Sequence, residues 1–304
     1  MTSTFADIAG WALLLSSLLA FGGRLGFPIE LFGHWRMQIA VVAAVAIAGA
    51  IALSHAFLFG CAVSAIVNTV PVLWMARAAA RRSTRIDGPA LTLVWQNAGL
   101  KRAAVERLAD LVRERDADLV AICEPPLDLS DAALAEILPD HPYLARCEPD
   151  DPQTYDARIL IASRLPIVAL STHEDHDFVR RPYAVLRLED VELPLAFVHA
   201  ASSAWPGGLK KRDAAIEHFT RRMAGEPRWA ALGDFNTTAW VPAFEVLRSY
   251  RVAPPFFRRT WRALPPVYGL PLDHVLASPG VVAELSYGPW NGSDHRSVVL
   301  RLSA

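Results

Sequence analysis

Cysteine is scarce in this 304-residue chain, which has three cysteines at scattered positions. Cys61, Cys123 and Cys147 show no paired spacing of the kind that zinc sites use, and an odd number cannot complete a disulfide framework. The sequence therefore excludes a fold stapled by disulfides or by a cysteine-ligated zinc ion. We expect these thiols to be buried or to face lipid.

An excess of positive charge is also missing, because 30 Lys and Arg are balanced by 31 Asp and Glu. Of these, residues 86–304 contain 24 basic and 29 acidic side chains. A mildly acidic domain is not a general binder of polyanions. Any contact with nucleic acid must therefore use local basic patches.

Charged side chains are absent from the 40 residues between Met37 and Ala76. As one helix rising about 1.5 Å per residue, this segment would be about 60 Å long, twice the roughly 30 Å hydrocarbon core of a bilayer. The pattern therefore predicts two membrane-spanning helices, near residues 37–53 and 56–75, with a tight turn at Ser54–His55.

A third apolar segment, near residues 8–22, is shorter and predicts a first membrane helix. A signal peptide is disfavoured, because the first seven residues include Asp7 and no Lys or Arg. An interfacial helix and a soluble hydrophobic hairpin are the alternatives. Residues 1–85 are thus expected to form a membrane anchor of two or three helices with a basic linker, in contact with the lipid bilayer.

Arginines flank the two-helix hairpin on both sides. Arg24 and Arg36 precede it, and four arginines between residues 77 and 85 follow it. A hairpin returns the chain to the side that it left, so the positive-inside tendency places both groups in the cytoplasm. We expect a multi-pass protein of the inner or plasma membrane, with residues 86–304 as a cytoplasmic domain.

Residues 86–304 alternate between apolar runs and helical periodicity, which indicates an α/β domain. Helices are predicted over 101–115, after the N-cap candidate Ser130, and over 210–223. Strands are predicted at 91–96, 118–123, 159–163, 167–171, 183–188, 193–198, in the run ending at 234, and near 272–277, 281–287 and 296–302. The strands fall into two groups, each with helices, which favours two packed sheets between helical layers.

The segment AALGDFNTTAW, residues 230–240, places an acid and an amide at the end of an apolar run. In extended backbone Asp234 and Asn236 point to one side and Phe235 to the other. By itself this pattern fits an Asx turn closing a strand equally well. Because acids or histidines end other apolar runs too, a joint functional interpretation is favoured. Those other residues are Glu124, His199, Asp273 and the pair Asp294–His295.

Carboxylate and amide oxygens are the ligands that hard divalent cations such as Mg²⁺ prefer. We predict Glu124, Asp294 and Asn97 as the metal-binding residues. A carboxylate that activates water and cations that neutralise phosphate oxygens suit in-line attack of water on phosphorus. The predicted catalytic residues are Asp234 for the water, His199 and His295 for the phosphate or the leaving oxygen, Asp273 for orienting a histidine, and Asn236 for the phosphate or metal.

In this order the residues resemble the endonuclease/exonuclease/phosphatase superfamily, which includes deoxyribonuclease I, abasic-site endonucleases, neutral sphingomyelinases and inositol polyphosphate 5-phosphatases. The matching motifs are Asn97 after the first strand, DLVAICE ending at Glu124, ILIASRLPI at 159–167, LAFVHA with His199, GDFNT with Asp234 and Asn236, LDHVLAS with Asp273, and GSDHRSVVL with Asp294–His295. The resemblance covers residues 90–304. It implies a four-layer α/β sandwich, dependence on Mg²⁺ or Mn²⁺, and cleavage of a phosphoester.

Two regions depart from the family pattern. Family members often have a polar ligand two residues after the Asn, where this chain has Gly99, and Gln96 is a competing position for the Asn. After His199, where nucleases often have small residues and Pro, this chain has Ser202, Ser203, Trp205 and Pro206. Thr260–Trp261 and the apolar N-terminal helices are similar to a membrane-anchored, bacterial-type subgroup.

Basic residues are candidate contacts for a phosphate substrate, although charge pairs are usually solvated faces. The stretch 252–271 is predicted to be an ordered loop over the site, in which aromatic and basic residues interleave. Such residues can stack bases or enter lipid headgroups. The predicted substrate-binding residues are Arg258, Arg259, Trp261, Lys210 and Lys211. The neighbouring aromatics are Phe256, Phe257 and Trp240, and the weaker basic candidates are Arg180–Arg181, Arg212 and Arg221–Arg222.

The sequence thus predicts a membrane-tethered, divalent-metal-dependent phosphoesterase, with a phosphodiesterase or nuclease as the first hypothesis. A phospholipid or phosphoinositide phosphoesterase is the alternative within the same chemistry. A membrane-anchored binding protein that keeps the fold without turnover is the alternative of another class. The expected substrate is a phosphoester in nucleic acid or in a phospholipid headgroup, and no obligate protein partner is indicated.

Overall fold

The computed structural model describes residues 2–49, 55–78, 81–148, 158–172, 183–253, 258–263 and 269–303. Three sets of residues singled out above lie outside these ranges: Ser54 of the predicted turn, the pair Arg180–Arg181, and the pair Phe256–Phe257. The loop predicted over 252–271 is therefore described in part.

The described residues form seven α-helices, two 3₁₀ helices (Gly23–Leu25 and Pro242–Tyr250) and fifteen strands. The helices are α1 (Thr2–Leu19), α2 (Glu30–His34), α3 (Arg36–Gly49), α4 (His55–Ala78), α5 (Arg102–Glu114), α6 (Asp131–Ile137) and α7 (Gly208–Ala224). The strands are β1 (Arg81–Arg82), β2 (Leu91–Asn97), β3 (Leu119–Cys123), β4 (Tyr143–Cys147), β5 (Ile159–Ser163), β6 (Ile167–Thr172), β7 (Tyr183–Leu188), β8 (Leu195–His199), β9 (Ala230–Asp234), β10 (Arg251–Ala253), β11 (Trp261–Arg262), β12 (Gly269–Leu270), β13 (Asp273–Ala277), β14 (Ala283–Tyr287) and β15 (Val298–Leu302).

The three long N-terminal helices α1, α3 and α4 pack against one another. Sixteen of the twenty-two large apolar side chains that are exposed in the described residues lie between Phe5 and Trp74. The stretch His55–Met75 of α4 is long and apolar enough to cross a membrane, whereas Thr4–Leu19 and Arg36–Ala48 are shorter apolar helices. The helices lie where apolar segments were predicted, and two or three membrane spans stay a prediction.

Helices α1 and α4 approach closely because glycines meet at their crossing. A Cβ built on Gly60 would lie 2.7 Å from the backbone oxygen of Gly10. Nearer the other end of the bundle, Asn68 donates to Ser17 Oγ over 2.7 Å, and Arg36 donates to the Ala20 carbonyl over 2.8 Å. Small residues and interhelical hydrogen bonds are the means by which helices associate in an apolar environment.

The strands form two mixed sheets. The first has the order β1-β10-β13-β9-β8-β7-β6, and the second has the order β14-β15-β2-β3-β5-β4. Neighbours are parallel in the pairs β1–β10, β8–β9 and β2–β3, and antiparallel in the other pairs of these two sheets. Strands β11 and β12 form a separate two-stranded ribbon.

The two sheets pack face to face, and helices cover their outer faces. Between the sheets, Trp95 of β2 stacks on Phe197 of β8 with ring centroids 6.3 Å apart. Helices α5 and α6 bury the outer face of the second sheet, and α7 buries that of the first. Successive strand residues face opposite sides, so Trp95 enters the central core and Val94 the core under α5. The predicted sandwich of two sheets flanked by helices is confirmed.

Most predicted elements match observed ones to within two residues. Ser130 is confirmed as the N-cap of α6, because its Oγ accepts a hydrogen bond from the amide of Ala133. The three cysteines are buried free thiols. The sequence analysis missed the edge strands β1 and β4, the short strands β10 to β12, and helix α2, since runs of two to five residues carry little periodic signal.

The segment between α1 and α3, residues 20–35, is here called the elbow. The elbow packs against the loop that follows β9. Trp240 donates its indole N–H to the carbonyl of Gly33 over 2.8 Å. The domain-side end of α4 joins this contact, because Val72 and Met75 cluster with Trp240 and Val241. The helical bundle therefore rests directly on the sandwich.

The segment after α4 also belongs to the sandwich. Strand β1 pairs in parallel with β10 at the edge of the first sheet. The amide of Thr84 donates to the Ala283 carbonyl over 2.9 Å, next to β14 of the second sheet. The chain that leaves the bundle is thus hydrogen-bonded to both sheets.

The crossing of α1 and α4 predicts a size limit at residue 60. We expect Gly60→Leu to lower the stability of the full-length protein in detergent, by at least the 1–3 kcal/mol typical of overpacking, because the new side chain meets backbone. Thermal unfolding measures this. Ala56→Leu, on an exposed position of the same helix, is the matched control and should leave the midpoint almost unchanged. Equal midpoints for the two variants would contradict the close crossing.

Candidate active site

Several strands end at the same edge of the sandwich and bring polar side chains together. Asn97 ends β2 and Glu124 follows its parallel neighbour β3. His199 ends β8 and pairs in register with Asp234, which ends the parallel strand β9. Asp273 begins the antiparallel strand β13 opposite Asp234. Strand pairing gathers Asn97 with Glu124 in the second sheet and His199, Asp234 and Asp273 in the first, and the face-to-face packing of the two sheets brings both sets together.

The first cluster of the site is built on Glu124. Its Oε1 accepts a hydrogen bond from Asn97 Nδ2 over 2.9 Å and lies 3.1 Å from His199 Nε2. Asn97 Nδ2 also donates to Asp234 Oδ2 over 3.2 Å. The amide of Asn97 therefore bridges two carboxylates, while its own Oδ1 accepts from the amide of Gly99.

The second cluster is a buried acid–histidine–acid row. His295 Nδ1 donates to Asp273 Oδ2 over 2.8 Å, and its Nε2 lies 3.6 Å from Asp234 Oδ2. Asp273 Oδ1 accepts from the indole of Trp95 over 2.9 Å, and its backbone amide donates to Thr260 Oγ1. The sequence analysis assigned Asp273 to orienting a histidine, and the histidine that it contacts here is His295.

Charge compensation sets the protonation states of this row. Burial alone would lower the pKa of His295, but the charges of Asp273 and Asp234 outweigh burial and raise this pKa to about 10. Burial raises the pKa of Asp234 to about 6, against the opposing charge of His295. At neutral pH the row therefore holds an imidazolium between two ionised carboxylates.

Glu124 is ionised over a wider pH range. Burial would raise the pKa of its carboxyl, but the hydrogen bond and charge of His199 and the hydrogen bond of Asn97 hold this pKa at about 2. A carboxylate that stays charged and lines an open cleft suits a divalent cation.

Left-handed backbone occurs at two of these positions. Glu124 has φ of 46° and Asn236 has φ of 47°, a region that non-glycine residues seldom occupy. Asn236 is held there by its amide N–H to Asp234 Oδ1 and by its side chain to the Ala200 carbonyl. Strained residues concentrate at functional sites, where surrounding contacts hold them in place.

Gly99, where the family often has a polar residue, is explained by local geometry. Its φ is 56°, and a Cβ there would lie 2.9 Å from Asp294 Oδ1. Its amide also donates to Asn97 Oδ1. A side chain at this position would therefore crowd the Asp294 carboxylate. Gln96, the competing position, points away from the site and accepts from Ser297 Oγ over 2.6 Å.

Asp294 lies at the rim of the site and is partly exposed. Its Oδ2 accepts from the indole N–H of Trp261 over 3.0 Å, and its Oδ1 lies 3.9 Å from Lys101 Nζ. Asp294 and Glu124 line the same cleft, as the metal hypothesis requires. The carboxylate of Asp294 is nevertheless outside both ligand clusters of the described residues, which are Glu124–His199–Asp234 and Asp234–Asp273–His295.

The site opens into a cleft of about 290 Å³. Its floor carries the polar residues Glu124, His199, Asp234, Asn236 and His295, with Asp294 at the rim. The remaining lining residues are Leu31, His34, Trp35, Ser202, Ser203, Ala204, Trp261, Leu270 and Leu272. Three of these come from the elbow, a contribution that the sequence analysis missed.

The predicted substrate-binding residues lie in different places. Trp261 lines the cleft, and Arg258 and Arg259 are exposed beside it in sequence. Lys210 and Lys211 are exposed on α7 and are not among the cleft-lining residues. Of the weaker candidates, Arg212 is fully buried and pairs with Glu30 of the elbow, and Arg221 and Arg222 pair with Glu217 and Glu226.

The donor atoms present fit a divalent cation. In each cluster the ligand atoms lie within 4.8 Å of one another, and carboxylate oxygens are in the majority across the two clusters. Oxygen ligands of this kind favour Mg²⁺ or Mn²⁺ over softer metals.

A family model described as the endonuclease/exonuclease/phosphatase family matches residues 94–295 of this chain. The chain belongs to this family. Members hydrolyse phosphoester bonds, and the chain is an enzyme of that class. The matched range runs from β2 to His295 and so includes both clusters.

Solved structures of family members share the fold. A humanised TDP2 from D. rerio carrying 14 mutations has a TM-score of 0.53 at 13% identity, over 71% of this chain and 99% of that one. The 3′ phosphatase NExo from Neisseria, bound to a product DNA hairpin, has a TM-score of 0.53 at 14% identity, over 71% and 100%. The 3′–5′ exonuclease NExo from Neisseria meningitidis has a TM-score of 0.52 at 15% identity, over 69% and 98%. Among curated protein sequences, none matches this chain.

The acid–histidine–acid row predicts that His295 is protonated, in contrast to His274, a second buried histidine. His295 should keep both ring protons well above pH 7, because its pKa is raised to about 10. His274, whose Nε2 bonds to the Thr237 carbonyl, should stay neutral, because burial lowers its pKa to about 3. Imidazole ¹⁵N shifts measured across the pH range distinguish the two forms. Titration of His295 near the ordinary value of about 6.5 would contradict the row.

The raised pKa of His295 determines how its contribution to folding stability depends on pH. Its folded pKa is raised, so its stabilising effect is complete below the unfolded pKa of about 6.5. The effect is lost as pH rises through about 10.

Proposed function

We propose that this protein is a membrane-tethered, divalent-metal-dependent phosphodiesterase. The observation that supports this is the convergence in one cleft of the Glu124–His199–Asp234 cluster, which could hold a metal ion, and the acid–histidine–acid row, which shares Asp234. A phosphodiester placed there would meet acids suited to activating water and a cationic histidine suited to stabilising negative charge. Family membership supplies the hydrolytic class.

In the proposed reaction, the oxygen of a water molecule forms a bond to phosphorus. The P–O bond to the leaving group breaks, and the leaving oxygen takes a proton. Asp234 is assigned to accept the proton of the water, because a carboxylate with a pKa of about 6 is ionised at neutral pH and is a stronger base than an ordinary one.

His295 is assigned to the developing negative charge. Its imidazolium is oriented by Asp273, which holds the Nδ1 proton over 2.8 Å and leaves Nε2 directed at Asp234. His199, beside Glu124 at the cleft floor, is assigned to the phosphate or the leaving oxygen. Asn236 lines the cleft and is assigned to a phosphate oxygen.

Glu124 and Asp294 are assigned to a Mg²⁺ or Mn²⁺ ion. Asn97, which the sequence analysis predicted as a metal-binding residue, is assigned instead to fixing the direction of Glu124, because its Nδ2 donates to Glu124 and its Oδ1 accepts from the Gly99 amide. Such an ion supplies Lewis-acid stabilisation of charge on the phosphate oxygens. Because Asp294 lies at the rim and pairs with Lys101, its part in metal binding depends on release from that contact.

Membrane attachment is part of the proposal and rests on α4 and the exposed apolar surface of the bundle. Arg24 and Arg36 lie at the domain-side end of the bundle, where Arg24 pairs with Glu245 and Arg36 with the Ala20 carbonyl. The positive-inside tendency assigns this end, and the catalytic sandwich, to the cytoplasm.

Loss of the proposed base predicts loss of turnover. Asp234→Asn should lower Mg²⁺-dependent hydrolysis of a chromogenic phosphodiester by about 100-fold or more, the usual effect of removing a general base. Wild-type activity should vanish in a chelator and return with Mg²⁺ or Mn²⁺.

The matched control is Asp110→Asn, a surface change on α5 that should retain activity. Circular dichroism and thermal unfolding show whether Asp234→Asn stays folded. Full activity in a folded Asp234→Asn protein would contradict the assignment, and so would undiminished activity of His295→Gln.

The topology predicts the location of the C-terminus. A cytoplasm-active reporter fused after Ala304 should be active, and the same fusion to a reporter that functions only after export should be silent, because the sandwich follows the arginine-flanked end of α4. The reverse pattern would place the sandwich on the opposite side of the membrane.

A further inference from the structure

The elbow is locked to the catalytic sandwich by a buried ion pair. Arg212 Nη2 lies 2.5 Å from Glu30 Oε1, and the two side chains are 0% and 3% exposed. Arg212 Nη1 also reaches the Asn236 carbonyl at 3.5 Å. One guanidinium therefore links the elbow to the backbone of a cleft-lining residue. Removal of Arg212 would leave Glu30 buried without its cationic partner, whereas removal of Glu30 would leave Arg212 paired with Asp213 at 2.6 Å.

A second buried contact fixes the direction of the elbow. The backbone amide of Thr238 donates to His34 Nδ1 over 3.3 Å. This nitrogen is therefore an acceptor, and the ring proton lies on Nε2, which donates to Ser203 Oγ over 3.3 Å. Burial and the nearby Arg212 charge lower the pKa of His34 to about 3, so the ring is neutral. His34 thus joins the loops that follow β8 and β9.

These contacts place two large elbow side chains on the cleft. Leu31 and Trp35 line it together with Leu270 and Leu272. Gln38, in the first turn of α3, also links the elbow side of the cleft to β12, since its Nε2 donates to the Gly269 carbonyl over 2.7 Å. The cleft therefore has a polar floor and an apolar wall, and the elbow supplies Leu31 and Trp35 to that wall.

The apolar wall is continuous along the chain with apolar surface outside the cleft. Leu25 and Phe27 of the elbow are 76% and 39% exposed, and Trp205, next to the lining residue Ala204, is 71% exposed. The exposed apolar faces of α1, α3 and α4 begin at the same elbow. If those faces lie in a bilayer, the cleft is at the level of the membrane surface.

Charge near the cleft does not favour a polyanion. Among the cleft-lining residues in the described ranges, none is Lys or Arg. The nearby cations Lys101, Arg24 and Arg212 lie within 4.0 Å of Asp294, Glu245 and Glu30 respectively. Arg258 and Arg259 are exposed and close to Trp261 in sequence, but they are not among the cleft-lining residues. A nucleic acid is held mainly by free cations on its phosphates, whereas an apolar wall next to a phosphate site fits an amphiphile.

We propose that the elbow is a substrate-binding part of the active site, in which Leu31 and Trp35 receive the apolar portion of an amphiphilic phosphoester drawn from the bilayer. This inference rests on the proposed function and names its substrate class. On this basis the N-terminal helices do more than hold the enzyme at the membrane, because their connection completes the cleft.

The test compares two substrates with one headgroup. Full-length protein is assayed with Mg²⁺ on vesicles of equal parts phosphatidylglycerol and phosphatidylcholine, and on the soluble dibutanoyl analogues of the same lipids. For Leu31→Asn and Trp35→Ala, the ratio of kcat/KM on vesicles to kcat/KM on the short-chain analogues should fall roughly tenfold or more, since each change removes most of one buried apolar contact.

Controls separate the subsite from folding. Leu31→Met keeps an apolar side chain of similar volume and should retain the wild-type ratio. Leu127→Asn, on an exposed position away from the elbow, should leave the ratio unchanged. An unchanged ratio in folded Leu31→Asn and Trp35→Ala would overturn the subsite while leaving the hydrolase proposal intact.

The remaining outcomes are also decisive. Wild-type hydrolysis of plasmid or oligonucleotide without turnover of either lipid form would assign the cleft to nucleic acid and overturn the inference. Absence of metal-dependent hydrolysis of lipid, nucleic acid and the chromogenic phosphodiester alike would overturn the proposed function itself, and the inference with it.

Discussion

Two carboxylates lie out of water between the sheets, and the imidazolium of His295 makes this arrangement stable. Asp234 and Asp273 face each other across antiparallel strands, so their mutual repulsion is built into the register of the first sheet. A cation between them offsets both the repulsion and the cost of burial. The backbone of His295 is fixed by a bridge to Trp261 and by Ser293, and its ring is held by the hydrogen bond to Asp273. The geometry of the cleft floor follows from this constraint.

The strand ends and their polar residues could be predicted from the sequence because both signals are local. An apolar run followed by an acid specifies a buried strand and the side chain at its end, and parallel pairing then brings neighbouring ends together. Asn97 meets Glu124 and His199 meets Asp234 in this way, and the packing of the two sheets brings the two pairs together. The left-handed backbone of Glu124 and the need for glycine at 99 are not local signals, because they depend on contacts formed only in the folded site.

The elbow could not be predicted for a different reason. Glu30 is an isolated acid in an apolar region, and Arg212 is the third member of a basic run that resembles a solvated face. Successive residues on a helix are rotated by about 100°, so Lys210 and Lys211 can face solvent while Arg212 turns inward. The partners are 182 positions apart, and nothing in either local pattern indicates the other.

The pair formed by Glu30 and Arg212 bears on how the protein can be divided. Amino-acid composition changes sharply at residue 85. Packing is nevertheless continuous across this position, since the elbow and β1 both contact the sandwich. A recombinant fragment beginning at residue 86 would retain the buried Arg212 without Glu30, with Asp213 as its remaining acidic partner, and would uncover the apolar surface around Trp240. Poor solubility of such a fragment would therefore reflect the exposure of surface that the elbow normally buries, rather than an unstable enzyme fold.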